Sequence, residues 1–221
     1  MKMLENIHVL LLKGGFGPER EVSLESAKAC SKAIKENGFK VTEVDYATMN
    51  INKLIDVKPD VCFNALHGDS GENGSIQGLL NILKIPYTHS GVTASAIAMN
   101  KIVFKRLIIN TTENSNDPIF FPKTLQINEG KRLSVDNYKG SYVVKPKSSG
   151  SSVGVKIIKE QDDIPLKKDF ILNEIMAEEF VGSTELTVTV LKDKPLCVTE
   201  IKAGQDKDFY NYKAKYEKNG S

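Results

Sequence analysis

Lys145 closes the apolar run Tyr142-Val143-Val144 and is followed by the loop Pro146 to Gly154, "PKSSGSSVG". A lysine at a strand end offers a compact positive charge. The serine- and glycine-rich turn beside it offers backbone N–H groups that no bulky side chain blocks, and together they suit phosphate oxygens. A flexible hairpin turn has the same composition, so the loop alone leaves both readings open. It is not a Walker A loop, because no Gly-Lys-Ser/Thr follows, and "GGFGPER" from Gly14 lacks the third glycine of the dinucleotide fingerprint. Downstream, "EEFVGSTE" sets Glu178 and Glu185 around a glycine turn. Acceptor-only carboxylates there suit an adenine amino group or ribose hydroxyls, and they suit a solvent-facing strand edge equally. Glu19 stands at an expected helix start, where the macrodipole favours an acid. His67 lies just past a strand-like run, the end at which open α/β sheets place ligands and also where a histidine can cap a turn.

The elements that must carry these residues change character near residue 110. Before it, strand-like runs ("IHVLLLK", "FKVTEVDY", "DVCFNALHG") alternate with helical patterns over about Val22 to Asn37 and Ser75 to Lys84, the βαβ rhythm of a parallel sheet. Gly38 occupies the position of a helix C-cap, and a third helical pattern covers roughly Thr93 to Ile109. The polar stretch "NTTENSNDP" reads as a linker. After it come "FPKTLQI", "SYVVKP", "SSVGVKIIK", "IMAEEF", "TELTVTVLKD" and "PLCVTEIKA", short β-rich runs that predict a mainly antiparallel α+β module.

Composition narrows the partner. Lys plus Arg number 30 against 28 Asp plus Glu, too even a balance for a nucleic-acid or anionic-membrane footprint, so a small-molecule partner is expected. Cys30, Cys62 and Cys197 are far apart and odd in number, which argues against a disulfide framework or a zinc site. The run "IHVLLL" is too short for a membrane span or signal segment. The chain reads as a cytoplasmic enzyme.

Six segments in order, "GGFGPEREVSL", "NALHGDSGENGSIQGLL", "IPYTHSGVTASAIAMNK", "VVKPKSSGSSVGV", "EEFVGSTELTV" and "DFYNYKAKY", resemble the D-alanine:D-alanine ligases of the ATP-grasp superfamily. The resemblance implies an α/β fold: a Rossmann-like parallel N-terminal domain over 1–100 that binds substrate, a central α+β ATP-grasp domain over 101–190, and over 191–221 the start of a C-terminal lobe with a lid loop. It implies ATP-dependent joining of two D-alanines through an acyl phosphate for peptidoglycan precursors, in a homodimer formed through the N-terminal domain, with no nucleic acid or membrane partner. Glu19 would bind the ammonium group of the first D-alanine and His67 would lie near its carboxylate, while Ser23 is left as an N-terminal helix residue. Lys101, Lys145 and Lys215 would contact ATP phosphates. Ser151 would bond toward Glu19 and Tyr216, and Ser152 and Gly154 would bring backbone donors. Glu178 would lie by the adenine, Val181 at the hinge and Glu185 at the ribose. Relatives usually carry aspartate where this chain has Asn100. The resemblance also places the ligands of two Mg²⁺ ions beyond Ser221, so no metal ligand is nominated and the 221 residues are expected to be inactive alone. A ligase using D-lactate or D-serine as second substrate, and a non-catalytic nucleotide-binding fragment, are the alternatives.

Overall fold

The structure is a computed structural model that describes residues 6–128, 134–160, 174–182 and 184–202. The chain divides into two compact units, one ending at Leu107 and the other beginning at Ile108.

The first unit is built on β1 (His8–Lys13), which pairs in parallel with β2 (Lys40–Asp45) on one side and with β3 (Val61–Asn64) on the other, giving the order β2-β1-β3. Residues 86–88 extend the sheet beside β3: Cys62 bridges Tyr87 in parallel, and Cys62 and Thr88 donate to the carbonyls of Pro86 and Cys62 at 2.7 and 3.0 Å. A central parallel strand is covered on both faces, which is why "HVLLLK" runs apolar without alternation. Leu10 and Leu12 pack with Leu54, Cys62, Leu66, Ile76, Leu80 and Ile85, whereas Leu11 faces Ala27 and Ala65 on the opposite side.

Helix α1 (Arg20–Glu36) turns a buried stripe of small residues, Ser23, Ala27 and Ser31, toward the sheet. Spacing of four places them on one face, and their size lets the helix lie close. It ends as expected, with Gly38 at φ 85° donating to the Lys35 carbonyl at 2.9 Å. The opposite face carries α2 (Ile51–Val57) and α4 (Ser75–Ile82), with the short α3 (Asp69–Glu72) between β3 and α4. Neither α2 nor α3 is foreseen in the sequence reading.

The single helix expected over Thr93 to Ile109 is two helices, α5 (Val92–Met99) and α6 (Lys101–Thr112), broken at Asn100. Asn100 leaves the helical region at φ −89°, ψ 100°, and its Oδ1 accepts from the N–H groups of Ile102 and Val103 at 3.2 and 3.1 Å. An asparagine competing for backbone donors favours the cap over the helix interior. Helix α6 also runs through Asn110 to Thr112, so the first three residues of the expected linker are helical.

In the second unit, β4 (Thr124–Leu125), β5 (Tyr142–Pro146), β6 (Lys156–Ile158) and β7 (Ile175–Glu179) form an antiparallel sheet in the order β4-β7-β5-β6. One face carries the core of Leu125, Tyr142, Val144, Ile158, Ile175 and Ala177. β8 (Glu185–Leu191) and β9 (Lys194–Ile201) pair as an antiparallel hairpin. The expected antiparallel module is present, strand for strand.

Candidate functional site

In the first unit the strand order reverses direction at β1, so the crevice between the C-terminal ends of β1 and β3 is a topological switch point, where open sheets bind ligands. Glu19 stands there, directly before α1. It is 5% exposed, and its side chain makes no capping bond to the helix it precedes. It lies instead against Gly68, at φ +65°, where an added Cβ would overlap the Glu19 carboxylate. The preceding residue, His67, has Nε2 within 3.2 Å of Ser26 Oγ on α1. Both expected substrate-binding residues thus belong to loops that meet at α1.

Ser23 fixes those loops. Its buried Oγ accepts from Gly14 N at 2.8 Å and donates to the Ala65 carbonyl at 2.7 Å, joining the ends of β1 and β3 through one hydroxyl. A second tie runs through Arg20, which grips Asp45 at the end of β2 with bonds of 2.9 and 2.5 Å and also donates to the Gly15 carbonyl at 3.0 Å. The Arg20 guanidinium, aided by the N–H groups of Ala47 and Gly15 and opposed by burial, holds the Asp45 carboxyl down at about 2. A third tie converges on Gly71, whose carbonyl accepts from Asn64 Nδ2 at 2.9 Å and Gln77 Nε2 at 2.8 Å. Sequence reasoning left Ser23 as a helix residue and passed over Arg20, Asp45, Asn64 and Gln77. The signal within reach was Ser23 at the start of the small-residue stripe, where a hydroxyl facing a sheet needs partners.

Lys101 is the first residue of α6. A cation there works against the helix dipole, which favours anions at this end.

In the second unit Lys145 and Glu178 come together. Val143 is opposite Glu178 and Lys145 opposite Met176, so the two charged side chains share the sheet face turned away from the core. Lys145 Nζ lies 2.5 Å from Glu178 Oε2, with side-chain exposures of 25% and 6%. Glu178 is not at a sheet edge: β7 lies between β4 and β5. Beyond β5, Ser151, Ser152 and Gly154 take φ of 50°, 59° and 72°. Two successive serines in the left-handed region cost about 1–2 kcal/mol each, and strain of this kind clusters at ligand-binding turns. Within the loop, Val153 N–H donates to the Gly150 carbonyl at 3.1 Å and Val155 N–H to the Ser152 carbonyl at 3.3 Å. Val181 and Glu185 are exposed, and Glu185 opens β8. The expected Lys215 and Tyr216 lie outside the described residues.

The model of the D-ala D-ala ligase C-terminus matches residues 125–221, and that of the D-ala D-ala ligase N-terminus matches residues 49–90. A D-alanine–D-alanine ligase of Parvibaculum lavamentivorans is 43% identical over 97% of this chain and 68% of its own length. The chain belongs to the D-alanine–D-alanine ligase family. A further ligase of that name from Zymomonas mobilis is 44% identical over 97% of this chain and 66% of its own. The chain therefore spans about two thirds of the length of the curated relatives it matches. The crystal structure of D-alanine–D-alanine ligase from Bacillus anthracis superposes with TM-score 0.71 at 25% identity, over 97% of this chain and 70% of that one. A second structure of the same Bacillus anthracis enzyme shares the fold, with TM-score 0.69 at 23% identity over 92% of this chain and 68% of that one.

The resemblance also implies Mg²⁺. Among the described residues, no group of three or more His, Cys, Asp or Glu side chains stands close enough to hold a metal ion. The described residues supply no such ligand set of their own. No described helix is long and apolar enough to cross a membrane.

Proposed function

We propose that this protein uses ATP to join two D-alanines. The γ-phosphoryl group passes from ATP to a carboxylate oxygen of the first D-alanine, giving an acyl phosphate and ADP. The amine of the second adds to the acyl carbon and loses a proton, and the bond to phosphate breaks, leaving D-alanyl-D-alanine and phosphate. The observation that carries the reading is Glu19: a nearly buried carboxylate at the sheet's switch point, turned from its own helix toward Gly68. An acceptor-only group there matches the ammonium of an amino acid, and His67 follows as a partner for the substrate carboxylate.

For the nucleotide, Lys145 and the N–H groups of Ser151, Ser152 and Gly154 serve the phosphates, together with Lys101 and Lys215. Glu178 serves the adenine amine, Val181 the hinge and Glu185 the ribose. One of the Bacillus anthracis structures is of the enzyme complexed with ATP, which supports the same ligand here. Charge spreading over phosphoryl oxygens is stabilised by placed cations and N–H donors rather than by covalent chemistry. Ser151 and Tyr216 are assigned to orienting Glu19. The protein works in the cytoplasm, where ATP is supplied.

Glu19→Gln tests the substrate site. Titration with D-alanine should show affinity falling at least about tenfold, equivalent to 1.4 kcal/mol, with ATP binding retained; an unchanged D-alanine affinity rejects the assignment. Presenting D-lactate and D-serine as second substrates measures which nucleophile is accepted.

The exposed Val92, Val103, Phe104 and Leu107 of α5 and α6 are assigned to a homodimer contact. Sedimentation should show a dimer at tens of micromolar, a concentration at which an interface of about 1,600 Å² associates; a monomer throughout counts against it.

A further inference from the structure

Gln77 on α4 is fully buried, and its amide is committed at one end only. Nε2 donates to the Gly71 carbonyl at 2.8 Å and lies 3.0 Å from His89 Nδ1. A backbone carbonyl only accepts, so the atom facing Gly71 must be the amide nitrogen. Its second hydrogen then meets Nδ1, which requires the lone pair there and the imidazole proton on Nε2. Oε1 has no hydrogen-bond partner among the described residues. An amide that already buries one unpaired atom tolerates a second poorly, so without an acceptor at position 89 Gln77 holds Gly71 less firmly.

Gly71 belongs to the turn over 68–74, which begins against Glu19. Gly68, where an added Cβ would overlap the Glu19 carboxylate, accepts from the N–H groups of Gly71 and Glu72 at 3.0 and 3.1 Å. At the far end of the turn, an added Cβ on Gly74 would come 2.8 Å from the Val92 carbonyl. The segment 89–92 therefore meets the turn twice, at Val92 and, through Gln77, at His89. We propose, on the basis of the D-alanine reading above, that His89 is a positioning residue for the first-substrate site. Its Nδ1 lone pair keeps the Gln77 amide on Gly71, and Gly71 keeps Gly68 against Glu19. His89 acts through the turn and not on the substrate. What the site requires at this point is an acceptor, which asparagine supplies with Oδ1 in the place of Nδ1 and leucine does not.

NMR of the imidazole nitrogens in the full 221-residue chain, at mildly alkaline pH, reads the tautomer, and His89→Asn identifies His89 among the three histidines. His89 should carry its proton on Nε2; a proton on Nδ1 overturns the proposal, whether or not any other variant folds. Amide hydrogen exchange at Gly71 and Glu72 then reads the turn without a ligand. His89→Leu should speed it about threefold to tenfold, the span of one hydrogen bond's net worth, and leave exchange at the buried Leu10 unchanged. His89→Asn should stay close to the unaltered chain. D-alanine affinity should fall in the same order, strongly for leucine and little for asparagine. Exchange unmoved in His89→Leu, or moved equally by leucine and asparagine, overturns the proposal. So does a loosened turn with D-alanine affinity intact, provided that Glu19→Gln lowers that affinity. If Glu19→Gln leaves D-alanine affinity unchanged, the substrate reading fails and the link to substrate falls with it, while the exchange order still decides whether His89 holds the turn.

Discussion

Around Glu19 the loops are tied mostly by neutral bonds, Ser23 to Gly14 and Ala65, and Asn64 and Gln77 to Gly71, with one ion pair, Arg20 to Asp45. On the face of β5 and β7 the corresponding groups are opposite charges neutralising each other, Lys145 against Glu178. The first arrangement holds the nearly buried Glu19 on loops fixed by hydrogen bonds to the backbone. The second sets a partly exposed lysine against a buried glutamate. On the proposed function, the first would meet a small zwitterion and the second a polyanion. Buried charge is costly unless paired, whereas a satisfied hydroxyl costs little.

The largest effect should come from breaking the charged arrangement on one side. Lys145→Met removes the cation facing the buried Glu178, and we expect a loss of up to about 3 kcal/mol in denaturant unfolding of the second unit. That is the low end of the range for a broken buried pair, because the lysine is 25% exposed. Replacing both, Lys145→Met with Glu178→Leu, should restore most of it, since an apolar pair of similar volume needs no compensation. A double variant as unstable as the single one would mean that the pair is not what balances Glu178.

The neutral arrangement should respond less and without rescue. Ser23→Ala strands the Gly14 N–H and the Ala65 carbonyl in a buried place, and we expect a loss of about 2 kcal/mol, the scale of a buried group left unsatisfied. D-alanine affinity should fall with it, because the loops leading to Glu19 and His67 lose their common tie. Unchanged stability would show that water replaces the hydroxyl and that the frame is looser than its geometry.

This contrast also explains what could be read in the sequence. Apolar runs, helix periodicity and Gly38 reflect local preferences that packing reinforces, so β1, α1, β2 and the antiparallel second unit were legible. The break at Asn100 was not, because "ASAIAMNKIVFK" is helical in pattern on both sides and one capping asparagine decides it. The loop after Lys145 was legible as composition, whereas the left-handed serines were not, since serine carries no preference for positive φ and tertiary context imposes it. Glu178 looked like an edge residue because its burial depends on β4, a neighbour more than fifty residues away in sequence. Ser23, Asn64 and Gln77 are ordinary residues in sequence, and only the meeting of β1 and β3 at α1 gives them work.

A smaller effect tests how tightly the frame holds its charge. Gly68→Ala places a methyl group into the space of the Glu19 carboxylate and forces a side chain to φ +65°. The backbone term alone is about 1–2 kcal/mol, and the flexible end of Glu19 can yield, so the fold should survive. D-alanine affinity should drop more than stability does. Stability falling with affinity intact would mean that the carboxylate position is irrelevant to the substrate.

The smallest effect is electrostatic and confined to acid. Two carboxyls of the first unit are held well below their ordinary range, Asp45 at about 2 chiefly by Arg20, and Glu43 at about 2 chiefly by Lys13, with Ser31 and Lys35 adding to it against burial. Because the folded state depresses both values, each contributes stability that is fully present above its ordinary value of 3.8 or 4.5 and is lost as pH falls toward 2. Unfolding free energy of the first unit should therefore be flat from neutral pH to about 4.5 and decline below it. Asp45→Asn should lower the plateau and flatten the part of the decline nearer pH 2, and Glu43→Gln should do the same from slightly higher pH. Both groups are partly exposed, so about 1 M salt, with a Debye length of about 3 Å, should shrink the contribution. The Ser23 ties involve no charge and should be indifferent to the same salt. A decline that persists undiminished in Asp45→Asn and Glu43→Gln together would assign acid sensitivity to other groups.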